Sequence, residues 1–275
     1  MNIKSFLNSF FSKKDQTIPE PTISEISEPE TSLPGISCYC STYGRPTYII
    51  ENCIQCFLEQ DYAGPKELVI LNDFDQQELI FEHPEVRIIN HPSRITPLGR
   101  KFNYNIDLCK YDILATWEDD DVFLKNRLSY SYNHMRNGIF HTSSGFYEVA
   151  HKNIIAIDNI YHSTHMFTRQ LFNQARYTEE NDTCDLDLSI MSKFKTILGE
   201  ENYTQHLKYE DLFYIYVWTG SMSYHGSGLG TSCKNISKMA EDIVSTHINS
   251  KHIDIGKIYL QPKLRYDFYS FLPKP

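Results

Sequence analysis

The sequence has no excess of basic charge. Its 26 lysines and arginines face 35 aspartates and glutamates, a formal net charge of -9. A chain without a basic patch or stripe is poorly matched to the phosphate backbone of nucleic acid, which excludes it as a partner. An anionic small ligand would need local help from a lysine, an arginine, a helix N-terminus or a metal. No run of about 18 apolar residues is present, so nothing reads as a membrane span. No secretory signal opens the chain, and its seven cysteines are odd in number and thinly spread; together these predict reduced thiols and a cytoplasmic location. Cys53 and Cys56 form a C-x-x-C, but without the second ligand pair of a zinc site they read as helix packing. No internal repeat is visible. "CSTYGRP" holds a single glycine where a triphosphate loop is glycine-rich, which argues against a nucleotidyltransferase. A phosphatase of the aspartyl type needs its nucleophilic acid at the end of the first strand, and Cys40, Ser41 and Thr42 stand there.

What is present suits an enzyme-sized domain. Across 275 residues, 41% hydrophobic and 13% aromatic content supports a well-filled core. Residues 1–14 space Ile3, Phe6, Leu7, Phe10 and Phe11 as one helical face, with lysines on or near the other; an amphipathic helix that contacts a membrane surface or partner, and a frayed tail, are both open readings. Residues 15–34 hold four prolines and five acids without a lysine or arginine, a composition that predicts a disordered linker. The domain is expected from Gly35 to about residue 230, with residues 231–275 as an extension packed on it.

Within the domain, strand and helix signals alternate. Strands are predicted over 36–41, 67–73, 86–90 and 112–118, and helices over about 47–60 and 98–110. That rhythm implies an α/β fold with a doubly wound, mostly parallel sheet flanked by helices. Ligands of such sheets bind beyond the carboxyl ends of the strands, where Tyr43, Asp73 and Asp120 all fall. After residue 140 the pattern loosens into a smaller mixed region. "SGFYEVA", "NIIAID" and "THMFTRQ" read as short strands, "DLDLSIMSKFKTIL" as a helix, and "YEDLFYIYVW" as an aromatic helix.

The segment "LATWEDDDVFLKNRL" places Glu118, Asp119, Asp120 and Asp121 in a row behind an apolar strand. Neighbouring carboxylates repel, and each costs several kcal/mol to desolvate unpaired. A divalent cation seated on oxygen ligands answers the problem, and so does a solvated helix N-terminus.

Taken in order, "SCYCSTYGRP", "LVILND", "LGRKFNYNIDLCKYDILATWEDDDVFLKNRL" and "YHGSG" resemble family 2 glycosyltransferases of the GT-A fold over roughly residues 36–230. The resemblance implies sugar transfer from a nucleotide diphosphate sugar, with a UDP- or dTDP-sugar favoured, to a glycan, lipid-linked or protein acceptor. It implies that Ser41 and Tyr43 flank the nucleobase, that Asp73 accepts a hydrogen bond from it, and that Asp75 lies near the ribose. Arg100, Lys101 and Asn103 fall where the diphosphate is approached. Mn2+ or Mg2+ would be held by Asp120, with Glu118, Asp121 and the later His225. Glu118 replaces the first Asp of the family's D-x-D, and Phe102 stands where many relatives carry Arg. The family's base lies at the start of a helix, commonly in an E-D pair. Asp185 is the best match, although Cys184 replaces the Glu. Asp182, Asp187 and Asp211 of "YEDL" are the alternatives. The resemblance therefore implies an inverting, metal-dependent transferase. Loss of the E-D pair keeps a non-catalytic nucleotide-sugar or glycan-binding protein as the competing reading.

Overall fold

The computed structural model describes residues 32–142, 144–149, 153–158, 162–180, 182–183, 186–199, 211–217, 235–265 and 267–268, with backbone alone for 144–149 and 153–158. Residues 1–14 and most of the predicted linker lie outside the described residues.

The framework follows from strands that are apolar on both faces. β1 (Ile36–Thr42), β2 (Lys66–Asn72) and β5 (Ile113–Thr116) bury nearly every side chain. Side chains alternate across a sheet, so Ile36, Cys38, Cys40, Leu68, Ile70 and Ala115 enter one core. Tyr39, Val69 and Leu114 enter the other. Helix α1 (Thr47–Leu58) covers the first face with Ile50, Cys53, Ile54 and Phe57, a spacing that keeps them on one side of a helix. Helices α2 (Leu98–Asp107), α4 (Arg169–Ala175) and α5 (Leu186–Leu198) cover the second, through Phe102 and Ile106, Leu171 and Phe172, and Ile190 and Phe194. The predicted helix at 98–110 is thus shorter by a turn.

With β4 (Val86–Asn90), β7 (Ile139–Phe140) and β10 (Met166–Thr168), these strands form a six-stranded sheet in the order β4-β2-β1-β5-β10-β7. The first four are parallel, and β10 and β7 run antiparallel to their neighbours. A second, mixed sheet has the order β6-β11-β8-β9, built from β6 (Val122–Phe123), β8 (Ser144–Val149), β9 (Asn153–Asp158) and β11 (Tyr214–Val217). Here the structure corrects the sequence reading, since "YIYV" of the predicted aromatic helix is a strand. Its aromatic and β-branched residues are strand formers, and β6 and β8 flank it. Helix α3 (Arg127–His134) lies between β6 and β7.

One small sheet was not foreseen. β3 (Gln77–Ile80) pairs in parallel with β12 (Gly256–Tyr259), which follows α6 (Ile236–Asn249). α6 also rests on the loop after β1. Gly44 has φ +54°, and a Cβ there would lie 2.7 Å from Val244, so glycine serves both the backbone and the close approach. No described helix is long and apolar enough to cross a membrane.

Candidate active site

The carboxyl ends of β1, β2 and β5 converge on two charged clusters. The first centres on Asp73, just past β2 and almost fully buried. Its Oδ1 accepts from Lys101 Nζ at 2.6 Å and from Arg94 Nη1 at 3.1 Å. Its Oδ2 accepts from the Ile95 backbone N–H at 2.8 Å. Lys101 also donates to the Thr42 carbonyl at 2.6 Å, tying the end of β1 to Asp73. Burial pulls the Lys101 ammonium down to about 8, with Asp73 pulling back. The Arg94 guanidinium lies over the Tyr43 ring, 3.4 Å from its centroid, and Phe74 meets that ring edge-on at 5.1 Å. Two buried polar atoms beside this cluster, Thr42 Oγ1 and Arg94 Nε, have no hydrogen-bond partner among the described residues.

The other expected donor contacts are dispersed. Ser41 is half-buried at the end of β1, where its Oγ accepts from Asn105 Nδ2 at 3.4 Å. Asp75 and Arg100 are exposed. Asn103 is occupied by the segment after α4. It donates to the Tyr177 carbonyl at 2.9 Å and to Glu179 Oε1 at 2.7 Å, and accepts from the Tyr177 N–H at 3.0 Å.

The second cluster is the acid run, and its four carboxylates divide among three sets of partners. Arg45 grips Asp119 with two hydrogen bonds, Nε to Oδ2 at 2.8 Å and Nη2 to Oδ1 at 2.7 Å, and reaches Asp120 Oδ2 at 2.8 Å. Asp121 is committed to the second sheet. It accepts from the Tyr214 hydroxyl at 2.6 Å, Ser163 Oγ at 3.1 Å and the Val217 N–H at 3.1 Å. Burial raises its carboxyl well above the usual range. Glu118 Oε1 pairs with His162 Nδ1 at 3.0 Å. The charge that the sequence seemed to leave uncompensated is thus met largely by Arg45 and His162.

His162 heads a buried row of hydroxyls. Its Nε2 meets the Tyr177 hydroxyl, which lies 2.9 Å from that of Tyr39, itself 2.7 Å from Thr116 Oγ1. Asp187, in the first turn of α5, lies 3.7 Å from His162 Nδ1. Of the alternative bases, Asp182 caps α6, accepting from the Ser237 N–H at 2.9 Å and hydroxyl at 2.8 Å. Asp211 accepts from the Tyr130 hydroxyl at 3.4 Å. Asp185 and His225 lie outside the described residues, as does Glu210.

Arg45, Arg94, His162 and Tyr177 were not singled out from sequence. Arg45 alone had a local signal, since "YGRP" follows β1 at the same sheet edge as the acid run.

Among the described residues no three carboxylate, imidazole or thiolate groups converge as a metal seat. Asp119 and Asp121 have both oxygens engaged. Asp120, whose side chain keeps 13% exposure, already takes Arg45 Nη2 on Oδ2 and is one carboxylate, too few to hold a cation unaided. Magnesium-type sites commonly combine one or two carboxylates with substrate phosphates. Among the described residues, then, a cation would have to be brought to Asp120 by the diphosphate rather than held there beforehand.

No protein-family model matches the sequence, and no curated protein sequence does. Solved structures do match. S. aureus TarS 1-349 in complex with UDP-GlcNAc aligns with a TM-score of 0.52 and 13% identity, over 81% of this chain and 68% of that one. A longer S. aureus TarS chain aligns at 0.48 with 13% identity over 78% of this chain and 43% of that one. A mannosyltransferase of Pyrobaculum calidifontis, PcManGT in complex with GDP-Man and Mn2+, aligns at 0.48 with 10% identity over 82% of this chain and 79% of that one. Identities this low speak to architecture alone, and the alignment at 0.52 carries the comparison. In its six-stranded, mostly parallel sheet and flanking helices, the chain has the α/β fold of the GT-A glycosyltransferases.

Proposed function

We propose that this protein transfers a sugar from a nucleotide diphosphate sugar to an acceptor hydroxyl, with inversion and with the help of a divalent cation. The observation that carries the reading is the Asp73 cluster. A buried carboxylate is held by three donors at the carboxyl edge of the sheet, beside the ring of Tyr43 and the guanidinium that lies over it. It sits one strand from the acid run, across β1.

Asp73 retains acceptor capacity on Oδ2, which suits the imide N–H of uracil or thymine. Lys101 and Ile95 hold the carboxylate in place, and Tyr43, one face of which Arg94 covers, stands beside it. Ser41 and Asp75 complete the donor side, and Arg100 is the exposed cation of α2 nearest in sequence to Lys101. Asp120 holds Mn2+ or Mg2+ together with the diphosphate, and His225 is the further ligand proposed for it. When bound, the cation offsets the charge that develops on the leaving diphosphate. As the base carried over from the resemblance, Asp185 accepts the proton of the acceptor hydroxyl as that oxygen attacks the anomeric carbon. The acceptor is a glycan, a lipid-linked sugar or a protein side chain.

A thermal-shift panel tests the donor side, because a ligand that binds only the native state raises the melting temperature. Uridine or thymidine diphosphate with manganese should shift the transition, and manganese alone should not. Hydrolysis of UDP-GlcNAc, the sugar nucleotide bound to the TarS fragment, then tests the chemistry with water in place of the acceptor. Donor binding without transfer or hydrolysis would favour the non-catalytic binding protein.

A further inference from the structure

We infer that Gln77 is a positioning residue that latches the C-terminal segment 236–259 to Arg45, so that this segment braces the Asp73 cluster and a nucleotide binds only while the brace is docked. The inference rests on the reading that the nucleotide meets the Asp73 cluster. Gln77 opens β3, and its side chain is almost fully buried. Its Nε2 has two protons to give. Both go to backbone carbonyls, of Arg45 at 2.9 Å and of Asp254 at 2.8 Å.

One amide thereby joins the loop after β1 to the residues just before β12. The bond holds Arg45 at its root, while the guanidinium of the same residue holds Asp119 and Asp120. Beside it the Thr47 hydroxyl donates to Asp254 Oδ2 at 2.8 Å, a second tie between the same two stretches. Gln77 is in turn fixed to the turn that carries Asp73. Its carbonyl accepts from Asn72 Nδ2 at 2.8 Å, and its N–H donates to the Phe74 carbonyl at 3.1 Å.

The bracing itself comes from α6. Its buried stripe of Ile236, Ala240, Val244 and His247 follows helical spacing. Ala240, Val244 and Ile253 form one cluster with Phe74, and Tyr43 packs against it. Phe74 follows Asp73 in sequence and Tyr43 is the ring under Arg94, so α6 backs the aromatic pair that stands beside the Asp73 carboxylate. Between Tyr43 and Arg45, Val244 seats against Gly44 too closely for a side chain to fit. Past β12 the chain is pinned to α1, where the Gln261 N–H donates to Glu51 Oε1 and the Arg265 N–H to Asn52 Oδ1, both at 2.9 Å. The core of the brace is small beside that of the sheet, and a unit with few buried apolar contacts opens locally at lower free energy than its surroundings. When it opens, Tyr43 and Phe74 lose their backing and Arg45 its anchor. A ligand that needs these groups in place binds the docked form, and by reciprocity it favours docking by the factor by which docking favours it.

The test follows hydrogen exchange in the full chain, with uridine diphosphate and manganese as the probe. With nucleotide at about ten times its Kd, wild-type exchange at 240–248 and 253–259 should slow about tenfold, the factor 1 + [L]/Kd for a ligand that binds only the docked form. Helix α3 (Arg127–His134) should keep its rate. Gln77→Met keeps the length of the side chain without its donors. It should speed exchange about tenfold or more at both 44–47 and 253–259, the scale of two lost hydrogen bonds, and leave 37–41 and 68–71 unchanged. Nucleotide affinity should fall in proportion to the docked fraction. Saturating nucleotide should return the variant's exchange towards wild type, which a packing defect alone would not show. Val244→Ala loosens the seat at Gly44 and leaves the latch intact; it should speed the same segments and be reversed in the same way. Exchange at 253–259 that ignores bound nucleotide, or α3 slowing as much as the brace, overturns the inference. So does a Gln77→Met effect confined to one side of the amide or spread through β1 and β2. If calorimetry finds no uridine diphosphate binding by wild type, the donor reading falls. Joint speeding of 44–47 and 253–259 in Gln77→Met then leaves the latch standing, and its absence removes the latch as well.

Discussion

Arg45 makes a sharp stability test because it is buried with the charges it offsets. Its side chain is 8% exposed, against 4% for Asp119 and 13% for Asp120. Arg45→Ala removes three charge-assisted hydrogen bonds of 2.7–2.8 Å and leaves the Asp119 carboxylate buried without its bidentate partner. Breaking a buried pair from one side costs about 3–5 kcal/mol, most of it the stranded charge. The Arg45 carbonyl still accepts from Gln77, so the loop keeps that anchor. Urea unfolding measures the loss as a drop in midpoint at constant slope. The paired change Arg45→Met with Asp119→Leu should recover much of it, because removing both charges abolishes the desolvation cost that one leaves behind. Manganese should raise the melting temperature of Arg45→Ala more than that of wild type, the ion replacing the guanidinium beside Asp119 and Asp120. An Arg45→Ala protein within about 1 kcal/mol of wild type, or a double variant worse than the single, would refute the reasoning.

Asp73→Ala should weaken uridine diphosphate binding by about 1–3 kcal/mol, the worth of a lost charged hydrogen bond; calorimetry that finds wild-type affinity removes Asp73 from the site. For Lys101, the folded value of about 8 lies below the ordinary 10.5, so between those values the unfolded chain binds the extra proton and the group's contribution to stability rises with pH. Relative to Lys101→Met, wild-type unfolding free energy should therefore climb by about 3 kcal/mol from pH 8 to 10.5, at about 1.4 kcal/mol per unit; parallel urea curves contradict the burial cost. Deleting residues 1–34 should leave turnover on a soluble acceptor unchanged, and loss of folding on deletion would mean that the domain begins earlier.

The sheet was legible because its signal is local. Strands apolar on both faces and helices with one apolar side announced themselves at 36–42, 66–72, 86–90 and 113–116, within a residue or two. β3 was missed because "QELI" is short and follows acids and loop residues, and its partner lies some 180 positions on. The run at 214–217 went to the wrong class because a short apolar stretch carries no decisive period. In the site, Asp73 and Asp120 stood out through type and place, at strand ends. The counter-charges did not. Arg45, Arg94 and His162 come from three separate loops, and only the folded chain brings each to its carboxylate. Counting acids without their cations made the run at 118–121 look like one seat, whereas the fold divides it between Arg45, β11 and His162.

The pairing of β3 with β12 has a consequence for how the chain is made. The parallel strands β4, β2, β1 and β5 are all synthesised by residue 116, and domains begin to fold as they leave the ribosome. Strand β3 at 77–80 still waits for residues 256–259, and the loop at Gly44 waits for Val244 of α6. The nascent chain thus carries an assembled four-strand core with β3 still without β12 and the β1 loop without Val244 through more than a hundred further residues of translation. Both are closed only once residues 236–259 have emerged, so a ribosome that stalls before residue 236 releases a sheet without its clasp.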